Sequence, residues 1–330
     1  MLRDDVLLLL TEAEGYLSGE EMREKLGVSR AAVSQAVRAL RADGYDIDAV
    51  TNRGYCLRAR PDTLTAGDVL SYLPEARRAT VRCFAQIDST NSYLKAEAMR
   101  GAPDGLCAIA DRQTAGRGQK GNSWESEDGK NLTFSMLLKH PGIEAKRQFY
   151  MSEAVSLAVA EMLSHYTEGI SIKWPNDVYW ADCKMCGMLI ENSLDADGGI
   201  EYSIPGVGIN INQERFLSDA PNPVSLKNVT GRDYDLEALL HEVCERIEAE
   251  CSMLAHATQA QLDALHRRYL DRLYRNDGQL HTWELPDGSR FQASIAGVAP
   301  DGMFTLQRPD GTQASYAFKQ VKHVVGQATL

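Results

Sequence analysis

Gln113-Thr-Ala-Gly-Arg-Gly-Gln-Lys-Gly-Asn-Ser-Trp124 packs three glycines, two cations and one tryptophan into twelve residues, with no period that a helix or strand could use. It has to be a loop, and its flanks decide the fold. Upstream lies the apolar run Gly105-Leu-Cys-Ala-Ile-Ala110 and downstream Leu132-Thr-Phe-Ser-Met-Leu-Leu138, both of strand character. Glycines let backbone N–H groups turn together towards a ligand, and Arg117 and Lys120 add full positive charges, so the loop is suited to closing over an anion. It is neither a Walker loop, which needs Gly-Lys-Ser/Thr, nor a dinucleotide fingerprint.

Outward from the loop, a third strand is expected over Met185 to Ile190, and the clearest helices over Phe149 to Tyr166 and Leu236 to His256. Short strands in mixed order with helices predict an α+β sheet with helices on one side, rather than a strict βα repeat. Beyond about residue 276 the pattern changes. Pro-Asp-Gly turns at Pro286, Pro300 and Pro309 separate runs of period two, such as Arg290 to Ile295 and Met303 to Gln307, and predict a small antiparallel barrel. It holds no recognisable chemistry, and packing against the central domain is its expected role.

Residues 1 to about 60 read as a separate small unit. Ser18 to Leu26 predicts a short helix, Gly27-Val28 a turn, and Ser29 the N-cap of a second helix running to about Arg41. In that second helix Val33, Val37 and Leu40 share the apolar face, while Arg30, Ser34 and Arg38 lie opposite. Tyr45 to Val50, the turn Asn52-Arg-Gly54 and Tyr55 to Leu57 complete a winged helix-turn-helix. Its DNA-binding motif spans Gly19 to Arg38, with Ser29, Arg30, Ser34, Gln35, Arg38 and the wing residue Arg53 as contacts. This unit carries nine Lys/Arg against ten Asp/Glu, so the alternative role is a docking module.

The 330-residue chain is 44% hydrophobic, enough for two or three domains with a sizeable core. Its net charge of −11 excludes a protein whose whole surface grips nucleic acid, so any DNA contact must be local. The apolar run near the N-terminus, Val6 to Leu10, is too short for a signal segment or membrane span, which predicts a cytoplasmic protein with no membrane contact. Seven cysteines without disulfide-scaffold spacing suit a reducing compartment. Cys183-Lys-Met-Cys186 could be half a zinc site or a redox pair, but no second motif completes it, and buried strand cysteines are the favoured reading.

Three further constellations bear on chemistry. Lys173-Trp-Pro-Asn-Asp-Val178 ends in a polar turn, and Lys184 opens an otherwise apolar strand. Gly206-Val-Gly-Ile-Asn-Ile-Asn212 places glycines within a strand, a sign of close approach by a ligand or another element. Asp88-Ser-Thr-Asn91 follows the strand Val81 to Ile87 and opens a helix.

Taken together and in this order, these motifs resemble one family, the biotin protein ligases, and the leading winged helix resembles their bifunctional type. That family's pattern runs Ser-Thr-Asn, Gln with Gly-Arg-Gly-Arg-x-Gly and a Trp, Lys-Trp-Pro-Asn-Asp, Lys-x-x-Gly-Ile-Leu, and Gly-x-Gly-Ile-Asn. The resemblance covers the whole chain. It implies a winged helix over 1–62, a class II synthetase-like catalytic domain over 63–275 and an SH3-like barrel over 276–330. It further implies that Ser89, Thr90, Asn91 and Gln113 hold the biotin head. Arg117, Gly118 and Gln119 would close over the carboxylate, and Lys184 would contact that carboxylate and the α-phosphate, with Lys184 and Arg117 catalytic. Lys120, Trp124, Asn176, Asp177 and Asn210 would line the ATP site, Asp177 also meeting magnesium.

The activity so implied is ATP- and Mg2+-dependent ligation of biotin, through biotinyl-5'-AMP, to a lysine of the biotin carboxyl carrier protein of acetyl-CoA carboxylase. It implies no tightly bound prosthetic group, repression of biotin synthesis genes at an operator, and an adenylate-bound homodimer. Alternatives are a catalytically inactive ligand-sensing regulator, or a lipoate- or octanoate-transferring relative. One departure stands out: Gln119 replaces the second arginine of the family loop, and it can hydrogen-bond but not neutralise an anion. Disorder of this loop without ligand is also expected.

Overall fold

The protein is described by a computed structural model over residues 2–13, 15–42, 44–59, 80–116, 118, 124–139, 144–217 and 222–324. Arg117, Gln119 and Lys120, the order of their loop, and the junction at residues 60–79 lie outside the described residues.

Three helices, α1 (Leu2–Glu12), α2 (Gly19–Leu26) and α3 (Arg30–Ala42), precede the hairpin β1 (Asp46–Val50) and β2 (Gly54–Ala59). Ser18 caps α2 with a full capping box, and Gly27, at φ 64°, ends it in the left-handed conformation. Ser29 Oγ then accepts from the Ala32 N–H at 3.2 Å, and so starts α3. Val33, Val37 and Leu40 bury with Val6, Leu7, Met22 and Ile47 in a core of their own. The wing is pinned where Leu17 and Tyr55 exchange both backbone bonds.

The central sheet has seven strands: β3 (Val81–Ile87), β4 (Cys107–Gln113), β5 (Leu132–Met136), β6 (Ile170–Lys173), β7 (Asp177–Trp180), β8 (Cys183–Leu194) and β9 (Ile200–Ile209). Their order is β3-β4-β5-β9-β8-β7-β6, antiparallel except for the β3–β4 pair. Strand alternation divides the two faces. Leu132, Phe134, Met136, Val207, Ile209 and Met188 join the main core, packed with α5 (Phe149–Ser164), α7 (Leu236–Leu254) and α8 (Gln259–Asp271). A short helix, α6 (Leu226–Thr230), follows β9.

Helices on one side only were expected, and the structure corrects this. Helix α4 (Thr90–Met99) packs through Leu94 onto a different cluster, made of Leu106, Ala108, Leu137 and Ile204. These residues alternate with the main-core positions of β4 and β9, so α4 lies on the opposite face. That leaves the rest of this face for side chains other than core packing.

The C-terminal strands β10 (His281–Glu284), β11 (Arg290–Val298), β12 (Phe304–Gln307), β13 (Gln313–Tyr316) and β14 (Lys322–His323) form an antiparallel sheet in the order β13-β12-β11-β10-β14. The expected closed barrel is not what these strands make. β13 and β14 are the two edges with no ladder between them among the described residues, and β14 spans only two residues, too short to close the sheet. The three Pro-Asp-Gly turns are present, each aspartate accepting from the backbone N–H two residues on: Ser289, Met303 and Thr312. Trp283, Phe304 and Leu306 belong to the main core, so this sheet packs on the central one.

Candidate active site

The face opposite α5 carries the sequence-selected residues in a row that runs across the strands. At one end, Ser89 caps α4 and fixes Thr90 and Asn91 in its first turn. The Thr90 N–H donates to Gln113 Oε1 at the end of β4 (2.8 Å). Thr90 Oγ1 lies 2.6 Å from Ser135 Oγ, and Ser135 Oγ donates to Asn91 Oδ1 at 2.6 Å. Ser135 donates its one hydrogen to Asn91, and the one Thr90 hydroxyl hydrogen has two acceptors in reach, Ser135 Oγ and Gln113 Oε1 at 3.1 Å. Asn91 Nδ2 in turn donates to Glu191 Oε2 at 2.9 Å. Thr90, Asn91 and Ser135 are all buried.

The middle of the row is floored by glycine. β5 and β9 pair Thr133 with Gly208 and Ser135 with Gly206, while β8 and β9 pair Gly187 with Gly208. A Cβ on Gly206 would lie 2.0 Å from Asn91 Oδ1, and one on Gly208 would lie 2.4 Å from Trp124 Cε2. A Cβ on Gly187 would meet the same indole at 2.9 Å. Only hydrogen at these positions lets Asn91 and Trp124 lie flat on the sheet. The expected close approach is therefore real, and two of its partners are Asn91 and Trp124.

A β-bulge then re-aims the next side chain. The β7–β8 register shifts between Val178 and Tyr179, so Val178 faces Cys186 and Tyr179 faces Lys184, with Met185 the extra residue. Met185 and Cys186 both point into the main core, and Lys184 comes onto the same face as Gly187. A Cβ on Gly187 would lie 3.2 Å from Lys184 Nζ. Lys184 Nζ donates to Asp177 Oδ2 at 2.7 Å, and Asn176 beside it is buried. Asn210, past the end of β9, donates through Nδ2 to Val224 O at 3.1 Å.

Three buried polar atoms in this row have no hydrogen-bond partner: Trp124 Nε1, Thr133 Oγ1 and Asn210 Oδ1. Such atoms cost about 1–3 kcal/mol each when left unpaired, which favours a ligand that pairs them. An open cavity of about 620 Å³ is lined by the first two of these residues, Trp124 and Thr133, with Gln113, Glu125 and Asp128. The structure thus brings together Ser89, Thr90, Asn91, Gln113, Trp124, Asn176, Asp177, Lys184 and Asn210; Gly118 is half-buried. No group of three or more His, Cys, Asp or Glu able to hold a metal is found among the described residues, so Asp177 is a single carboxylate paired with a lysine. Cys183 and Cys186 are buried in β8, as favoured, and burial pushes both thiols up.

Sequence reading missed Ser135, Thr133 and Glu191, and gave Lys173, which opens the Lys173-Trp-Pro-Asn-Asp-Val178 run, no role of its own. The signal for the first two was present in Leu132 to Met136, where a wholly buried strand carries a polar residue at every second position. Lys173 faces Asp177 across β6–β7 and donates to Tyr179 Oη at 3.1 Å. Burial pushes its ammonium below the usual lysine range and pushes the Tyr179 phenol well above its own.

On the winged unit, Ser29, Arg30, Gln35, Arg38 and Arg53 are exposed and Ser34 is half-buried. Arg53 is not loose: its guanidinium lies 4.4 Å from the ring centroid of Tyr16, whose hydroxyl donates to Asp48 at 2.6 Å. No helix of the described residues is long and apolar enough to cross a membrane.

Comparison with known proteins gives this geometry its relatives. The biotin/lipoate A/B protein ligase family matches residues 83–210, and a helix-turn-helix domain matches residues 3–56. The bifunctional ligase/repressor BirA of Bacillus subtilis (strain 168) is 30% identical over 251 residues, covering 73% of this chain and 76% of its own. The protein of the same name from Escherichia coli (strain K12) is 34% identical over 218 residues, 66% of each chain. Among solved structures, the biotin protein ligase from Aquifex aeolicus in complex with biotin and ATP is 25% identical at a TM-score of 0.61, covering 75% of this chain and 99% of that one.

Proposed function

The chain belongs to the biotin/lipoate A/B protein ligase family, as a relative of the bifunctional ligase/repressors, and from that premise we propose that it activates biotin with ATP and passes it to a carrier-protein lysine. The observation that carries this reading is the polar row with its three unpaired buried atoms, which runs from the Thr90–Ser135–Asn91 chain to the Lys184–Asp177 pair. Asn91, Ser135 and Gln113 offer both donors and acceptors to a ureido head. The acyl chain runs beside the Trp124 indole that covers the glycine floor, and Lys184 receives the carboxylate and the α-phosphate.

A biotin carboxylate oxygen attacks the α-phosphorus, the new P–O bond forms, and the bond to the β-phosphate oxygen breaks with its electron pair leaving on pyrophosphate. Both reactants are anions, so a fixed ammonium at Lys184, in a partly buried site, lowers their repulsion and stabilises the transition state. Asp177 holds Lys184 in place and offers one carboxylate to the magnesium that arrives with ATP. Arg117, Gly118, Gln119 and Lys120 complete the lid over the adenylate, and Asn176 and Asn210 face the nucleotide. The carrier lysine then attacks the mixed anhydride and releases AMP.

In this reading residues 1–62 bind operator DNA through Ser29, Arg30, Ser34, Gln35, Arg38 and Arg53, as a homodimer when adenylate-bound, and repress biotin synthesis genes. Residues 63–275 are the ligase, and 276–330 brace it. The test is incubation with ATP, magnesium, biotin and the carrier domain of acetyl-CoA carboxylase, then a streptavidin blot. Label on the carrier lysine is expected, and its absence refutes the enzyme reading. Equal DNA affinity with and without biotin plus ATP would remove the repressor.

A further inference from the structure

We propose that Glu153 and His266 form a proton-operated latch that fastens the C-terminal sheet and helix α8 to α5, and so holds the Asn176-Asp177 turn in place for adenylate formation. The latch itself stands apart from the ligase reading above; only its effect on adenylate formation rests on that reading.

Glu153 stands on α5 and is wholly buried. Its Oε1 lies 2.6 Å from His266 Nδ1 on α8, and its Oε2 has no hydrogen-bond partner among the described residues. A carboxylate this deep with a single partner is costly, so its ionised form depends on a cation at His266. The same imidazole makes a hydrogen bond with the backbone of Val298, the last residue of β11; that bond favours the charged ring, so the Val298 carbonyl accepts it. A neutral imidazole has one N–H. Placed on Nδ1, that hydrogen serves Glu153 and leaves Nε2 a bare lone pair; placed on Nε2, it sets a lone pair against the carboxylate. Only the imidazolium donates to both, so one proton ties together α5, α8 and β11.

The surrounding groups set the sign. His266 faces Glu153 from α5, the Val298 carbonyl from β11 and Asp263 from its own helix; the Glu153 bond acts most strongly, and all three favour the imidazolium against the opposing effect of burial. Tyr150 on α5 and Tyr269 on α8 lie beside Glu153, and burial together with its charge raises both phenols, so they stay neutral. The latch therefore opens as pH rises through the raised His266 value. Burial raises the Glu153 carboxyl too, which gives the charged pair an acid edge of its own; the alkaline edge belongs to His266. The far end of the latch is the reaction site. Three residues on from His266, Tyr269 is fully buried, and its hydroxyl donates to Pro175 O at 2.9 Å, directly before Asn176. A shift of α8 is thereby passed to the turn that carries Asn176 and Asp177.

The experiment follows one titration by three readouts on the full-length protein. Biotin-dependent exchange of pyrophosphate into ATP should have an alkaline limb that coincides with the titration of the His266 imidazole NMR signals, falling about tenfold across it, the usual loss for a hydrogen bond to a charged group. With Glu153→Gln the limb and the NMR titration should move to lower pH together, while transfer of preformed biotinyl-AMP to the carrier domain keeps the parent's pH profile. Amide hydrogen exchange in β11 of the parent, corrected for its intrinsic rise with pH, should quicken over the same interval; this needs neither a variant nor a substrate, so it holds even where Glu153→Gln folds poorly. A limb that stays in place while the His266 signals move, an equal shift in exchange and transfer, or unchanged protection of β11 overturns the proposal. If the parent exchanges no pyrophosphate, the ligase reading fails by itself, and protection of β11 still decides the latch.

Discussion

The indole of Trp124 lies so close to Gly208 that a Cβ there would sit 2.4 Å from Cε2 and 2.6 Å from Nε1. Gly208→Ala should displace the ring, at a stability cost of about 1–3 kcal/mol if the ring cannot move. Retention of biotinyl-AMP should fall at least about tenfold, since 1.4 kcal/mol is already that factor. Tryptophan fluorescence and titration with the adenylate check this; unchanged values in both would show that the indole does not rest on β9.

Ser135 links Thr90 to Asn91 through two bonds of 2.6 Å and is fully buried. Ser135→Ala leaves Asn91 Oδ1 without its donor, a penalty of about 1–3 kcal/mol. Biotin affinity, by calorimetry, should drop roughly tenfold while the KM for ATP changes little.

Lys184→Met removes the cation at the reacting carboxylate and leaves Asp177 without its partner. Adenylate formation, followed by pyrophosphate release, should fall on the order of a hundredfold or more, as for loss of one preorganised transition-state donor. Lys184→Arg should recover little, because the planar fork cannot reproduce a point charge over Gly187.

Two histidines give the stability profile opposite slopes. The Glu153 hydrogen bond, 2.6 Å from His266 Nδ1, raises His266 above its ordinary 6.5. That contribution is fully present below 6.5 and lost as pH rises through the higher folded value. Burial lowers His323 from 6.5 to about 4, so its effect runs the other way. Stability is fully present above 6.5 and lost as pH falls towards 4, where the unfolded chain binds the proton more readily. Melting curves across pH should show His266→Gln flattening the alkaline limb and His323→Phe the acid one; an unaltered limb would remove that histidine from the account.

Arg38 is exposed on α3, opposite the buried Val33 and Val37. Arg38→Ala should weaken operator binding and reduce the salt dependence of log K by about one unit of slope if it contacts a phosphate.

What could be read in the sequence was mostly local. Ser18, Ser29 and Ser89 announce helix starts through caps made within three residues, and Ser89-Thr-Asn91 could be placed at a helix N-terminus on that basis. Ser135 could not be assigned, because its partners lie 45 and 44 residues away and meet it only through strand pairing. Lys173 stood in a motif, but its Tyr179 contact could not be read there, because it depends on the β6–β7 turn. The placement of α4 on the second face follows from alternate residues of β4 joining different clusters, a period-two division that a wholly buried strand does not display.

Trp174 ties the chemistry to the far end of the chain. Its indole N–H donates to Gly302 O at 3.0 Å, and its ring stacks on Phe304 at 4.8 Å, two residues before the polar turn that presents Asn176 and Asp177. Gly302 itself leaves no room for change: its φ is +88°, and a Cβ would press Phe149 at 2.8 Å. The C-terminal sheet is thus a mould against which one side of the reaction chamber is cast. Loss of turnover on altering Gly302 or Phe304 would report a warped chamber rather than a missing ligand contact, and a functional screen that scored only activity would mistake the mould for the casting.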